Sequence, residues 1–179
     1  MKNLYPIIKE IADRTVALSV LFFLSPLFII LSLIVFIKLG RPIFFKQLRP
    51  GYLGKPFYLL KFRSMINLTD SKGNSLSDQD RLTSFGRILR TTSLDELPGL
   101  VNIILGEMSF IGPRPLLMEY LDLYTDEQKC RHFVKPGFSG LAQINGRNNL
   151  PWENRFKLDL WYVNHLSFWL DMRILFITI

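Results

Sequence analysis

Sulfur and imidazole are scarce in this chain. Its 179 residues hold one cysteine, Cys130, and two histidines, His132 and His165. A lone thiol excludes an intrachain disulfide, so nothing demands an oxidising compartment. Two scattered histidines with no Cys partner at ligand spacing do not make a zinc cluster. Acid is short as well: 22 Lys and Arg stand against 15 Asp and Glu, a difference of +7. That excess suits an anionic membrane surface, a phosphorylated substrate or a nucleic acid. Charge of either sign is missing from Thr15 to Ile37, which favours the membrane. Gly137, Gly140 and Gly146 lie in an irregular segment with neither P-loop nor dinucleotide spacing.

What is present is enough chain for one domain with a core. It is 49% hydrophobic, with the excess in one early run. Leu4, Ile7, Ile8 and Ile11 alternate with Lys2, Lys9, Glu10, Asp13 and Arg14 at the period of an amphipathic juxtamembrane helix. The uncharged run of about 23 residues makes roughly 34 Å of straight helix, enough to span a bilayer. Two features argue for a helix that enters and returns on the same side. Ser25-Pro26 sits near the middle, where proline removes a donor and clashes with the preceding turn. Cations flank both ends (Lys2, Lys9, Arg14; Lys38, Arg41, Lys46, Arg49), as expected if both lie on the cytoplasmic side.

Ile43–Leu48, a turn at Arg49–Gly54, and Pro56–Arg63 predict a β-hairpin with Lys61 and Arg63 on one face. Solvated edge charges are the plain account of those two. The polar stretch Asn67–Asp80 predicts a surface loop. Gln79–Thr91 carries Leu82, Phe85, Ile88 and Leu89 at helical spacing, predicting one basic helix with Arg81, Arg87 and Arg90.

Then comes Ser93-Leu94-Asp95-Glu96-Leu97-Pro98. Ser93 and Glu96 have capping-box spacing, with Asp95 favouring the positive helix end. On spacing alone that structural reading leads. The same geometry also suits phosphoryl chemistry, since free N–H groups attract phosphate while a carboxylate attacks phosphorus or holds magnesium. Leu97, Leu100, Val101 and Ile104 follow as a core stripe, ended by Gly106-Glu107-Met108-Ser109. In Gly112-Pro113-Arg114-Pro115 two prolines fix the backbone around an arginine suited to phosphate. Leu116–Lys129 predicts a helix or helical pair with a capping box from Thr125 to Gln128, and Pro151 opens a helix running to His165. For Trp161, Tyr162 and Trp169, interface and core remain open. Asp159 and Asp171 suit either carboxylates that support site residues from behind or ordinary surface ion pairing, and the surface reading leads.

Three blocks, Ser93–Pro98, Met108–Pro115 and Pro136–Arg147, resemble the signature blocks of the bacterial sugar transferases, monotopic polyprenyl-phosphate phosphoglycosyl transferases. The resemblance covers nearly the whole chain. It implies an α+β, predominantly helical protein. A re-entrant membrane helix broken at Ser25-Pro26 (residues 1–40) would precede a cytoplasmic catalytic domain with a small β-hairpin (41–179). Lys9-Glu10 and Asp13 only partly match a Lys-Arg pair and Asp common in the family. The blocks look closest to the small members of bacterial protein N-glycosylation that use a diacetylated bacillosamine donor. Relatives commonly continue past the position of Ile179, so a longer natural carboxyl end is expected, and nothing before Met1 suggests extra spans.

The implied reaction moves a phosphosugar from a UDP-sugar to a polyprenyl (undecaprenyl) phosphate, releasing UMP, at the inner membrane's cytoplasmic face. Asp95 would be the nucleophile and Glu96 its partner, both near Mg2+. Lys61, Arg90 and Arg114 would bind phosphate, and Pro113, Gln143 and Arg147 the nucleotide. No nucleic-acid partner is implied. Two alternatives stay open at this point: a membrane-anchored protein that binds anionic lipid without chemistry, and a single-step transferase in which Asp95-Glu96 only binds metal.

Overall fold

The structure, a computed structural model, describes residues 4–68, 76–146 and 149–178. It is mostly helical with a small antiparallel hairpin. Two compact units share the chain, one formed by 1–17, 48–58 and 102–179, the other by 18–47 and 59–101.

The second unit holds the predicted break. Helix α1 (Tyr5–Phe23) ends and α2 (Ser25–Leu39) begins around Leu24, with Pro26 in the first turn of α2, where a missing N–H costs nothing. The Ser25 hydroxyl donates to the carbonyl of Phe22 at 2.7 Å. The two helices bend by 67°; neither alone is long and apolar enough to cross a membrane, and only the bent pair together meets that measure. Phe22, Phe23, Ile29, Leu33 and Ile37 point outward. The inward side of α2 supplies Leu31 and Val35 to a core with Phe62 and Leu89. There Phe28 and Phe44 flank Phe62 at ring distances of 5.0 and 5.5 Å, and burial of the Phe62 ring contributes about 1.5–3 kcal/mol.

Strands β1 (Phe44–Pro50) and β2 (Pro56–Phe62) form the predicted hairpin. The single basic helix expected over 79–91 is two pieces, α3 (Asp78–Arg81) and α4 (Ser84–Thr91). Leu82 between them bridges to Met65, and Thr83 starts α4 afresh by accepting the Gly86 N–H at 3.0 Å. Gly86 is there because α4 lies directly on the chain after β2: a Cβ would sit 1.7 Å from the Ser64 carbonyl oxygen. Half of the predicted polar loop, 69–75, lies outside the described residues.

Helix α5 (Leu100–Ile104) carries the chain from the second unit into the first, with Leu100 and Ile103 buried, and Gly106 at φ 80° leads to β3 (Ser109–Ile111). The segment read as an irregular loop instead contains β4 (Gly137–Ser139), paired parallel with β3, and the short helix α7 (Leu141–Ile144). Its glycines carried the loop reading. They are required by close backbone approach, since a Cβ on Gly137 would lie 2.1 Å from the Gly112 nitrogen. The predicted capping box at Thr125 and Gln128 opens α6 (Asp126–Lys129). Helices α8 (Trp152–Asn164) and α9 (Phe168–Thr178) complete the unit around Ile111, Tyr162 and Ile174. Tyr162 is core, while Trp169 is 80% exposed.

Asp159 and Asp171 are not surface residues; each is 2% exposed. Asp171 accepts from Tyr5 and Lys9 at 2.5 Å and from Tyr162 at 2.7 Å. The polar face of early α1 is therefore packed inward, with Asp13 taking the Ser109 hydroxyl at 2.6 Å. A carboxylate so buried needs such partners, because its desolvation is otherwise prohibitive.

Candidate active site

Helix α4 ends at Thr91, and only Thr92 and Ser93 separate it from a 3₁₀ segment over Leu94–Gly99. In this short connection Ser93 takes the left-handed region, φ 57°, sparsely used by non-glycine residues. From there its hydroxyl makes no cap hydrogen bond. The expected capping box at Ser93 and Glu96 is absent, while both acids do stand in the first turn of the segment. What the turn achieves is to deliver Asp95 and Glu96 together at the start of the segment.

Asp95 is 7% exposed. Burial, the largest influence, pushes its carboxyl above the ordinary range; Lys61 opposes this, Glu96 adds to it, and Arg90 opposes it. Lys61, from β2, holds Glu96 through Nζ 2.7 Å from Oε1. Arg90, from α4, donates Nε to the Ser64 hydroxyl at 2.9 Å while the side chain stays exposed. Neither Lys61 nor its neighbour Arg63 is a solvated edge charge. Arg63 is 6% exposed and donates to the carbonyls of Leu39, Gly40 and Arg41, placing a cation at the negative end of α2.

The second unit thus gathers four sequence-predicted residues, Lys61, Arg90, Asp95 and Glu96. Pro113, Arg114 and Gln143 belong to the first unit, and Arg147 lies outside the described residues. The Pro113–Pro115 backbone is gripped twice: Arg131 donates to the Arg114 carbonyl at 2.9 Å and Arg49 to that of Pro115 at 3.2 Å. Arg131 also pairs with Asp159 at 2.6 Å, both side chains almost wholly buried. Both polar atoms of the Gln143 side chain are buried without a hydrogen-bond partner. Sequence reasoning missed Arg131, Arg49 and Ser64. Only Gly86 carried a signal, as a glycine inside a helical pattern.

Among the described residues no group of three His, Cys, Asp or Glu converges. Magnesium does not need one; it binds through one or two carboxylates plus substrate phosphates and water. Asp95 and Glu96, close enough that Glu96 raises the Asp95 carboxyl, fit that mode.

The model of the family described as bacterial sugar transferase matches residues 4–179. The chain belongs to that family. As a bacterial sugar transferase it is an enzyme, a phosphoglycosyl transferase. It is 53% identical to the uncharacterized sugar transferase EpsL of Bacillus subtilis, over 97% of this chain and 86% of that one. It is 38% identical to the UDP-glucose:undecaprenyl-phosphate glucose-1-phosphate transferase of Klebsiella pneumoniae, over 97% of this chain but 39% of that larger protein. To the exopolysaccharide production protein ExoY of Sinorhizobium fredii it is also 38% identical, over 96% of this chain and 83% of that one.

Proposed function

We propose that this bacterial sugar transferase moves a phosphosugar from a UDP-sugar to a polyprenyl phosphate, undecaprenyl phosphate in bacteria, and releases UMP. The observation that carries the reading is a buried carboxylate, Asp95, flanked by Lys61, Glu96 and Arg90. The undecaprenyl-phosphate transferase named above supports the choice of substrates.

In the first step an Asp95 carboxylate oxygen attacks the sugar-linked phosphorus. The bond from that phosphorus to the bridging oxygen breaks, and the oxygen leaves with UMP. In the second, a phosphate oxygen of the lipid attacks the aspartyl-phosphosugar; the acyl-phosphate bond breaks, Asp95 is freed and a diphosphate forms. Splitting the displacement lets one site handle two anionic partners in turn. Lys61 and Arg90 spread the developing charge, and water exclusion around Asp95 strengthens both. Asp95 and Glu96 would hold Mg2+, which would supply neutralisation of the substrate's phosphate charge. Phosphate binding by Arg114 and nucleotide binding by Pro113, Gln143 and Arg147 belong to the same proposal. The unbonded amide of Gln143 offers a donor and an acceptor to a base edge.

The bent α1–α2 pair acts as a re-entrant anchor at the cytoplasmic face of the inner membrane, holding the carboxylates at head-group depth. Its outward apolar side chains support this, as does the cation content of both flanks.

Mass spectrometry of enzyme incubated with sugar donor and no lipid tests the chemistry. A phosphosugar adduct is expected, lost in Asp95→Asn; full activity of Asp95→Asn removes the nucleophile assignment. Labelled UMP exchanging into the donor without lipid separates two steps from one. A donor panel of UDP-glucose, UDP-galactose and UDP-diacetylbacillosamine, scored by UMP release, identifies the sugar.

A further inference from the structure

Along the carboxyl half of α2 runs an open groove of about 290 Å³ lined by Ser32, Leu33, Phe36, Arg41 and Ile43. None of its side chains belongs to the carboxylate site. Ser32 spends its hydroxyl inside the helix, donating to the Phe28 carbonyl at 2.7 Å, so the trough presents carbon along its length. At one end stands a cation: the Arg41 guanidinium lies 5.7 Å from the centre of the Phe36 ring. The Arg41 backbone is fixed, because Arg63 donates to its carbonyl at 2.9 Å and to that of Gly40 at 2.7 Å.

We propose that this groove seats the head-proximal stretch of the polyprenyl chain of the acceptor lipid, with Arg41 meeting its phosphate. The proposal rests on the reading above that the acceptor is a polyprenyl phosphate. A single-chain amphiphile with an anionic head has the shape of the site, an apolar trough with one cation at its end. The volume is at the small limit of ligand sites, about 300 Å³, which fits one chain and leaves no seat for the two chains of a glycerophospholipid. The remaining chain continues among the outward side chains Leu33 and Ile37, where bilayer lipid is an equivalent solvent.

The groove is also built into the unit that carries the carboxylates. Ile43, one of its walls, packs on the core to which Leu94 and Leu97, on either side of Asp95-Glu96, contribute. Arg63, which fixes Arg41, is followed by Ser64, which accepts from Arg90. Arg41, Arg90 and Asp95 thus belong to one compact unit.

Full-length enzyme in nanodiscs tests this with Leu33→Trp, which fills the trough from an exposed position, Arg41→Gln and Arg41→Lys. Leu33→Trp and Arg41→Gln are expected to raise KM for polyprenyl phosphate about tenfold, with Arg41→Lys closer to wild type and lipid-free UMP exchange within about twofold. An unchanged KM overturns the proposal. So does equal competition by phosphatidylglycerol, which would make the groove a general phospholipid contact. Should wild type exchange no UMP, the two-step reading fails instead, and the groove is decided by photoreactive polyprenyl phosphate. Crosslinking at Leu33 or Phe36, reduced in Arg41→Gln, upholds it, and crosslinking that Arg41→Gln leaves unchanged overturns it.

Discussion

Lys61 reaches Glu96 across 35 residues of sequence, with Nζ 2.7 Å from Oε1 and both side chains largely buried. A strand residue and a 3₁₀ residue so joined fix the distance between the hairpin and the carboxylate turn. The ammonium is also the first influence that restrains the upward push of burial on Asp95. Lys61 therefore does two things, and they separate experimentally.

Replacing Lys61 with Gln should raise the Asp95 carboxyl further, because the leading opposing charge is gone. The ionised fraction at a given pH then falls, so the acid limb of the rate profile moves to higher pH, and the rate near pH 7 drops by at least about tenfold. Lys61→Arg keeps the charge and should keep the limb in place. A pH–rate profile decides; an acid limb that stays put in Lys61→Gln assigns Lys61 to architecture alone.

The Arg131–Asp159 pair predicts a different separation. Asp159→Asn leaves a buried guanidinium uncompensated, which costs about 3–5 kcal/mol, whereas replacing both partners with apolar residues of similar size is often neutral. Arg131→Met with Asp159→Leu should thus melt near wild type. It still lacks the donor to the Arg114 carbonyl, so its KM for the UDP-sugar should rise. Thermal unfolding and donor kinetics on the same preparations check this; a double variant with normal donor KM removes Arg131 as a positioning residue.

The elements legible in the sequence were those written in local pattern. The hairpin between Phe44 and Phe62, the Thr125 capping box, the helix after Pro151 and the break at Ser25-Pro26 each follow from a few neighbouring residues. Apart from Ser93, the misreadings involve distant partners. Asp171 looked like a surface acid because Tyr5 and Lys9, which bury it, lie more than 160 positions away. The parallel pairing of β3 with β4 joins three-residue strands 28 positions apart, Ser109 to Gly137, too short for alternation to show. Ser93 misled for a local reason: its spacing to Glu96 satisfied the capping pattern, but in the two-residue connection to α4 it takes a left-handed backbone that composition does not announce. Lys61, Asp95 and Glu96 were found by resemblance, and neither Lys61's reach to Glu96 nor the depth of Asp95 was visible before folding.

His132 predicts how stability follows pH. The ring is buried, and desolvation, reinforced by Arg131, lowers its pKa to about 4 from an ordinary 6.5. Between those values the unfolded chain binds more protons than the folded one, so stability rises with pH across the window and is lost as pH falls from about 6.5 to about 4. The full extent is on the order of 3 kcal/mol. Thermal unfolding between pH 4 and 7 should show this slope in wild type and a shallower one in His132→Phe. An equal slope in both assigns the acid sensitivity to the buried carboxylates.

The bend at Leu24 sets where the two ends of the apolar run emerge. Straightened, α1 and α2 would join into a helix longer than a bilayer is thick; they are bent by 67°, and the proposed re-entrant anchor needs that bend. Pro26→Leu restores a backbone donor and removes the ring clash, so it should favour the straight form. In wild type, single cysteines placed at Leu4 and Lys38, in a Cys130→Ser background, should label from the same side of sealed inverted vesicles. In Pro26→Leu the two should divide between sides, and lipid-dependent turnover should fall because a spanning anchor no longer fixes the carboxylates at head-group depth. Opposite-side labelling in wild type would make the pair a kinked span, and the carboxylates would then owe their depth to the rest of the chain.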